Sequence, residues 1–409
     1  MRIVYEVTRR CNLQCKYCYE GFKGTKPLNK ERLLDPDDFV KFVYELLINN
    51  EPVLIQFHGG EPLLEYKHIK EIITRIRQLS IYEKYKSKIE FTIVTNGIFL
   101  DEEKIKWFKE NDLIKYCISH DIVSNITQEM RHNILDKNWL FNKLDILLKH
   151  KTLPEISYVI TKKHIELGPK NFIQELVVLF KYVKEKHNYM FTTFNLTPVD
   201  PIPYLYFYNI GIYNDEDILW FQNNMFINYD EFFEFYFKSL QIMQQNYIDL
   251  IDPRYQNNIL LLERNSNLVL QNYYNCNTNF IDSGIPCKMG TELLAVTPNG
   301  DIYPCTKIID LLHNFKELKD IFLLGNIKSF NFKNYNQQLI KFKEKILNNL
   351  YYHNIPCHFF CEKSETCSYC IVHNYMLYNY FDSYIGNFKC IFNNKIHRTV
   401  NTFKERYNL

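Results

Sequence analysis

Ile3-Val4-Tyr5-Glu6-Val7-Thr8 runs almost directly into Cys11-Asn12-Leu13-Gln14-Cys15-Lys16-Tyr17-Cys18. A β-branched run ends in a loop carrying three thiols, which places those thiols at the C-terminal end of a first strand. Three thiolates bind three irons of a four-iron cluster and leave the fourth without a protein ligand. An iron open in that way binds a small molecule as well as carrying electrons. The alternative is a zinc knuckle, which needs a fourth Cys or His close by. Tyr19 and Glu20 come next, and the first downstream histidine is His58.

Outward from this loop, short β-rich runs alternate with amphipathic stretches. Strands are expected over 3–8, 53–57, 89–94, 114–119, 156–161 and 190–196. Helices are expected over 38–49, where Phe39, Phe42, Val43, Leu46 and Leu47 share a face, over 66–79 and over 171–187. Six strand–helix units in series predict an α/β fold with a parallel sheet and outer helices. Right-handed crossovers curl it into a partial (β/α)6 TIM-like barrel with functional loops at strand C-terminal ends. Pro198, Pro201 and Pro203 then interrupt the pattern, and an aromatic-rich bridge with a helix over 229–247 follows. Near residue 275 the texture changes to Gly, Pro and Cys turns, with a Lys-rich helix over 336–349. The expected domains are therefore a core over 1–200, a mostly helical bridge over 201–271 and a cysteine-rich module over 272–409.

The chain has 409 residues, 46% hydrophobic and 23% charged, with 49 basic and 47 acidic side chains and a net charge of +2. Such a chain forms a sizeable core and offers no electrostatic case for nucleic acid or an anionic membrane. No run reaches the roughly 18–20 apolar residues a spanning helix needs, and Glu6 interrupts any secretory stretch. A cytoplasmic protein is expected, where disulfides are rare. The twelve cysteines fall as three at 11–18, one at 117 and eight at 276–390, a clustering that points to metal. Cys117, mid-strand, reads as a small buried hydrophobe.

Three further segments sit at strand ends: Phe57-His58-Gly59-Gly60-Glu61-Pro62, Thr95-Asn96-Gly97, and Ser119-His120-Asp121 with Arg131 beyond. With Cys-x3-Cys-x2-Cys and aromatic Tyr17 before the last cysteine, the set resembles the radical S-adenosylmethionine (SAM) superfamily. The resemblance implies a [4Fe-4S] cluster on Cys11, Cys15 and Cys18, and SAM bound by Tyr17, Gly59, Gly60, Glu61, Asn96, Ser119, Arg131 and, more loosely, Leu196. Two glycines let backbone approach a ligand closely, and Glu61 suits an ammonium. Ile122 stands where the family has glycine after the aspartate. The implied chemistry is reductive SAM cleavage to a 5′-deoxyadenosyl radical that abstracts hydrogen from a substrate. His58, beside the SAM loop, either faces the substrate or is a packed or capped histidine; no catalytic residue is assigned.

Cys276, Cys287, Cys305, Cys357, Cys361, Cys367, Cys370 and Cys390 are enough for two fully ligated four-iron clusters, or for a pair of four-thiolate zinc sites. Pro298-Asn299-Gly300-Asp301 reads as a hairpin turn bringing Cys287 towards Cys305. The set resembles the SPASM twin-cluster module, although the outer spacings of its middle run are exchanged here. The resemblance implies one auxiliary cluster on Cys276, Cys287, Cys305 and Cys370, and another on Cys357, Cys361, Cys367 and Cys390. Its members modify ribosomally made peptides or proteins and take electrons from a flavodoxin- or ferredoxin-type donor.

The lead expectation is therefore a peptide maturase forming a thioether or other crosslink. Formylglycine generation in sulfatases is the alternative; those members carry an Asp after the cysteine matching Cys305, where this chain has Thr306. An iron–sulfur electron carrier or zinc-stabilised binding module is the non-enzyme alternative, and neither needs a SAM pocket. A first strand at residue 3 leaves no leader-gripping domain ahead of it. A separate leader-binding protein is then expected, unless the bridge aromatics (Tyr204, Tyr206, Phe207, Tyr208, Trp220, Phe221) contact the peptide rather than forming core.

Overall fold

The computed structural model describes residues 1–18, 32–132, 134–191, 197–199, 211, 213–227, 229–250, 290, 292–306, 308–309 and 319–352. The chain divides into two compact units. One comprises Met1–Ser119, Asn142–Ile156 and Lys288–Lys345; the other comprises His120–Phe141, Ser157–Cys287 and Ile346–Leu409.

The first unit is built on a mixed eight-stranded sheet. Its strands are β1 (Arg2–Thr8), β2 (Val53–Gly59), β3 (Ile89–Thr95), β4 (Leu113–Ser119), β5 (Leu153–Ser157), β8 (Leu293–Val296), β9 (Asp301–Tyr303) and β10 (Gly325–Asn326). Their order is β10-β9-β8-β1-β2-β3-β4-β5. β1 to β4 pair in parallel, as a partial-barrel α/β fold requires. The far edge of β1 takes β8, also in parallel, and β8–β9–β10 continue antiparallel. Strands from the cysteine-rich part of the chain thus extend the N-terminal sheet, a long-range pairing that periodicity does not reveal. The expected hairpin is present: Thr297 N–H donates to Asp301 O at 3.0 Å, and Gly300 turns with φ +89°.

One sheet face is apolar apart from the buried Thr95 at the end of β3. Ile3, Tyr5, Val7, Val53, Ile55, Phe57, Phe91, Ile93, Tyr116, Ile118, Leu294 and Val296 are each at most 1% exposed. Helix Pro36–Ile48 covers it with Phe39, Phe42, Val43, Leu46 and Leu47; it starts where Asp35 accepts from Asp37 N–H at 2.9 Å, with Pro36 in its first turn. Helix Tyr66–Arg77 adds Ile69, Ile72, Ile73 and Ile76, all fully buried. Burying a side chain of that size contributes about 1.5–3 kcal/mol. The opposite face carries Arg2, Glu6, Thr8, Gln56, His58, Thr92, Lys115 and Cys117 by strand alternation. Parallel sheets normally bury two apolar faces, so a polar second face marks a surface built to bind.

The fifth and sixth strands depart from expectation. The strand expected over 156–161 is two pieces, β5 ending at Ser157 and β6 (Val159–Ile160). Met190 and Phe191 are not in a strand, 192–196 lie outside the described residues, and the strand that follows is β7 (Thr197–Pro198), paired in parallel with β6. Apolar content alone misplaced these boundaries.

In the second unit, helix Pro169–His187 buries Phe172, Ile173, Leu176, Phe180 and Val183. It opens at Gly168 and closes at Asn188, which is left-handed with φ +50°. The Phe172 ring packs on Phe235 of helix Tyr229–Tyr247 at 5.5 Å between centroids. The bridge helix expected over 229–247 is present over that range.

Candidate active site

In the first unit, the ends of β1, β2 and β3 converge. Register slips near the end of β1, so that Thr8 lies beside Gly59. Gly60 N–H then donates to Thr8 O and Glu61 N–H to Arg10 O, each at 2.8 Å. A Cβ on Gly59 would sit 2.2 Å from Thr8 O, and one on Gly60 would sit 2.3 Å from Arg10 O. Gly59 also has φ +134°. The close approach that requires two glycines is therefore to the chain leading into the cysteine loop.

Glu61 is fully buried. Its Oε1 accepts from Leu63 N–H at 3.1 Å and Thr95 Oγ1–H at 2.6 Å, and its Oε2 accepts from Asn96 N–H at 2.8 Å. The carboxylate ties the end of β2 to the end of β3. Asn96 Nδ2 in turn donates to Asn12 Oδ1 at 2.8 Å. Arg10 pairs with Glu65 at 2.5 Å, holding the chain just before Cys11. The motifs seen separately in sequence are one connected assembly.

Cys11, Cys15 and Cys18 are partly exposed, and none is in a disulfide. Cys18 N–H donates to Cys15 O at 3.1 Å, while Leu13 and Tyr17 are buried beneath the loop. Tyr17 thus anchors the loop. Among the described residues, no three Cys, His, Asp or Glu side chains converge on one point. In kind and number the three thiols of one short loop fit a three-thiolate site.

His58 belongs to the polar sheet face, and the register sets Glu6, His58, Val94 and Cys117 in one row across β1 to β4. Burial within that recess, with Arg2 nearby, pushes its imidazole down to about 4, so it is neutral at pH 7. Cys117 is partly exposed on this polar face, not inside the apolar layer as expected. Strand parity sends odd-numbered Cys117 to the same side as Lys115, and neighbouring apolar residues hid that from sequence reading. Ser119, also partly exposed, ends β4.

The second unit holds the loop that follows. Asp121 is fully buried, and Arg131 grips it with Nε–H to Oδ2 and Nη2–H to Oδ1, both at 3.0 Å. Val159 N–H adds a third bond to Asp121 Oδ1 at 3.1 Å. The guanidinium expected to meet SAM therefore spends two donors on Asp121. Ile122 keeps the left-handed backbone of a glycine, with φ +68°, although β-branched and buried. That strain costs about 1–2 kcal/mol, and two histidines sequence reading did not assign hold the loop against it. His120 Nδ1 accepts from Ile122 N–H at 3.0 Å, so its Nε2–H faces Asp136 O at 3.3 Å. His164 Nδ1 accepts from Thr161 N–H at 3.1 Å, so its Nε2–H faces Asp121 O at 3.2 Å. Burial pushes His120 to about 4 and His164 below its ordinary value. A capping-box spacing, Thr161-x-x-His164, was the signal available for the second.

Leu196 and Cys276, Cys287, Cys357, Cys361, Cys367, Cys370 and Cys390 lie outside the described residues. Cys305 is described, partly exposed, just after β9, with Thr306 following it. Among the described residues, no helix is long and apolar enough to cross a membrane.

Residues 5–161 match the Radical SAM superfamily. A GTP 3',8-cyclase from Aquifex aeolicus is 28% identical over 148 residues, 36% of this chain and 42% of the cyclase. The chain thus spans less than half the length of that relative. The structure of anSMEcpe with bound AdoMet and Cp18Cys peptide superposes with a TM-score of 0.60 at 19% identity, covering 99% of both chains. Streptococcus suis SuiB bound to precursor peptide SuiA gives 0.56 at 14% identity, covering 95% of this chain and 75% of SuiB. At those identities the likeness is one of fold.

Proposed function

We propose that this chain, whose residues 5–161 match the Radical SAM superfamily, is a radical SAM peptide maturase acting on a ribosomally made peptide. Cys11, Cys15 and Cys18 would hold the [4Fe-4S] cluster, with SAM at its open iron. Bound together, cluster and SAM supply one-electron cleavage and a 5′-deoxyadenosyl radical that takes hydrogen from the substrate. The chain's own residues prepare the site. Gly59 and Gly60 let β2 close against the cysteine loop, Glu61 locks β2 to β3, and neutral His58 faces the substrate from the polar sheet face.

The observation that carries this reading is the hydrogen-bonded link from Glu61 through Asn96 to Asn12, which joins three motifs at one set of strand ends. A peptide is favoured over a nucleoside triphosphate by the polar face. Among the described residues, Arg2 and Lys115 there are balanced by Glu6 and Glu90, and Lys115 is already paired with Glu90 at 2.7 Å. A triphosphate calls for a cationic cradle. The structures of anSMEcpe with Cp18Cys peptide and of SuiB with precursor peptide SuiA, which share the fold, support the same choice.

The module over 272–409 would carry two auxiliary clusters on the eight C-terminal cysteines, and a flavodoxin- or ferredoxin-type protein would supply electrons. Thioether or other crosslinking is the favoured outcome, with a separate protein presenting the leader. Thr306 stands where a formylglycine-forming enzyme would place its base, which makes that chemistry the second reading.

Anaerobic reconstitution should give about twelve irons per chain. Dithionite and SAM should yield 5′-deoxyadenosine, and a Cys11, Cys15, Cys18 triple alanine variant should yield none. Equal yields from the two, or zinc in place of iron, would refute the proposal. Mass spectrometry of a co-expressed peptide then separates crosslinking, as loss of two hydrogens, from formylglycine made from cysteine, which also exchanges sulfur for oxygen.

A further inference from the structure

Asn96 is 6% exposed at the end of β3, and both ends of its side-chain amide are engaged. Ile98 N–H, which only donates, meets one end at 3.0 Å, so that end is Oδ1. The other end is therefore Nδ2, which reaches Asn12 Oδ1 at 2.8 Å and lies 4.0 Å from Cys11 Sγ. Its backbone N–H is held by Glu61 Oε2 at 2.8 Å. The whole residue is thus fixed from below by a buried carboxylate.

Asn12 sits between Cys11 and Leu13. Leu13 is 2% exposed, and its N–H donates to Cys11 Sγ at 3.4 Å. The Cys11–Leu13 turn is therefore held both by the buried Leu13 side chain and by the Asn96 amide. Hydrogen bonds to cluster sulfurs stabilise the more negative, reduced state and raise the reduction potential. We propose that Asn96 is a positioning residue for the first cysteine: it holds Asn12 so that Leu13 N–H stays aimed at the Cys11 sulfur, and thereby sets the reduction potential of the cluster on that loop. This assignment rests on the function proposed above. It gives the Thr95-Asn96 segment a role towards the cluster loop, distinct from the SAM contact implied by resemblance.

The test uses the full chain, reconstituted anaerobically, with a potentiometric titration followed by electron paramagnetic resonance. The signal of the N-terminal cluster is identified by its response to added SAM. Wild-type protein lacking any such signal would sink the proposed function, and this inference with it. Where the signal is present, Asn96→Ala and Asn12→Ala should each move its midpoint to more negative potential. Because Asn12 is reached only through Asn96 in this pair, while Asn96 also lies beside the Cys11 sulfur, the double variant should move it no further than Asn96→Ala alone. Unchanged midpoints in both single variants, or a double-variant shift equal to their sum, would overturn the inference. Should Asn96→Ala fail to load iron, Asn12→Ala decides alone, since Asn12 is exposed and its loss leaves the core intact. A negative shift there supports the assignment, and an unchanged midpoint overturns it.

Discussion

Arg131 and Asp121 form a bidentate ion pair with both hydrogen bonds at 3.0 Å, the Asp121 side chain fully buried and that of Arg131 8% exposed. Removing the guanidinium would leave the buried carboxylate without its bidentate partner. Arg131→Ala should therefore destabilise the folded protein by about 3–5 kcal/mol, and Arg131→Lys should recover only part, because an ammonium cannot reproduce the two-pronged geometry. Denaturant titration of the metal-free protein checks both. An Arg131→Ala midpoint equal to wild type would mean that the pair is dispensable for folding.

Glu61 separates two roles experimentally. Its carboxylate accepts from three donors inside the chain, so Glu61→Gln should lower stability by about 1–3 kcal/mol without any ligand present. A residue that served SAM alone would leave the melting temperature of the SAM-free protein where it was.

Gly60→Ala should disturb the cysteine loop from the neighbouring strand. The new Cβ meets Arg10 O at 2.3 Å and Arg9 O at 2.5 Å, and neither is the tip of a flexible side chain. Iron incorporation should fall while helical circular dichroism is kept. Full iron loading would show that the loop tolerates displacement.

Acid should weaken the second unit. His120 is neutral when folded, with its pKa pushed from 6.5 to about 4 by burial, and His164 is lowered for the same reason. Protonating His120 Nδ1 would also evict Ile122 N–H. The unfolded chain binds more protons than the folded one between pH 6.5 and about 4, so this contribution is fully present above pH 6.5 and is lost as pH falls through that window. For His120 it amounts to about 3 kcal/mol. His58 in the first unit has the same sign. Stability measured from pH 7.5 to 4.5 should fall, and His120→Gln should flatten the slope; identical slopes would remove His120 as a cause.

Much of what near neighbours set was legible from the chain itself, the fifth and sixth strand boundaries and the parity of Cys117 excepted. The β-branched run before Cys11, the amphipathic faces of 38–49 and 66–79, and the hairpin at Gly300 follow from strand and helix periods and turn chemistry, which act over a few residues. So did the order of motifs at successive strand ends. What folding alone decided lies between distant residues: Thr95 with Glu61 across 34 positions, His164 with Asp121 across 43, Asn96 with Asn12 across 84. The docking of β8 on β1 and the exposure of Cys117 on the polar face belong with these. Periodicity specifies which side of an element is apolar. It does not specify which strand edge is left for another segment to cover, or which buried polar groups meet where parallel strands end together.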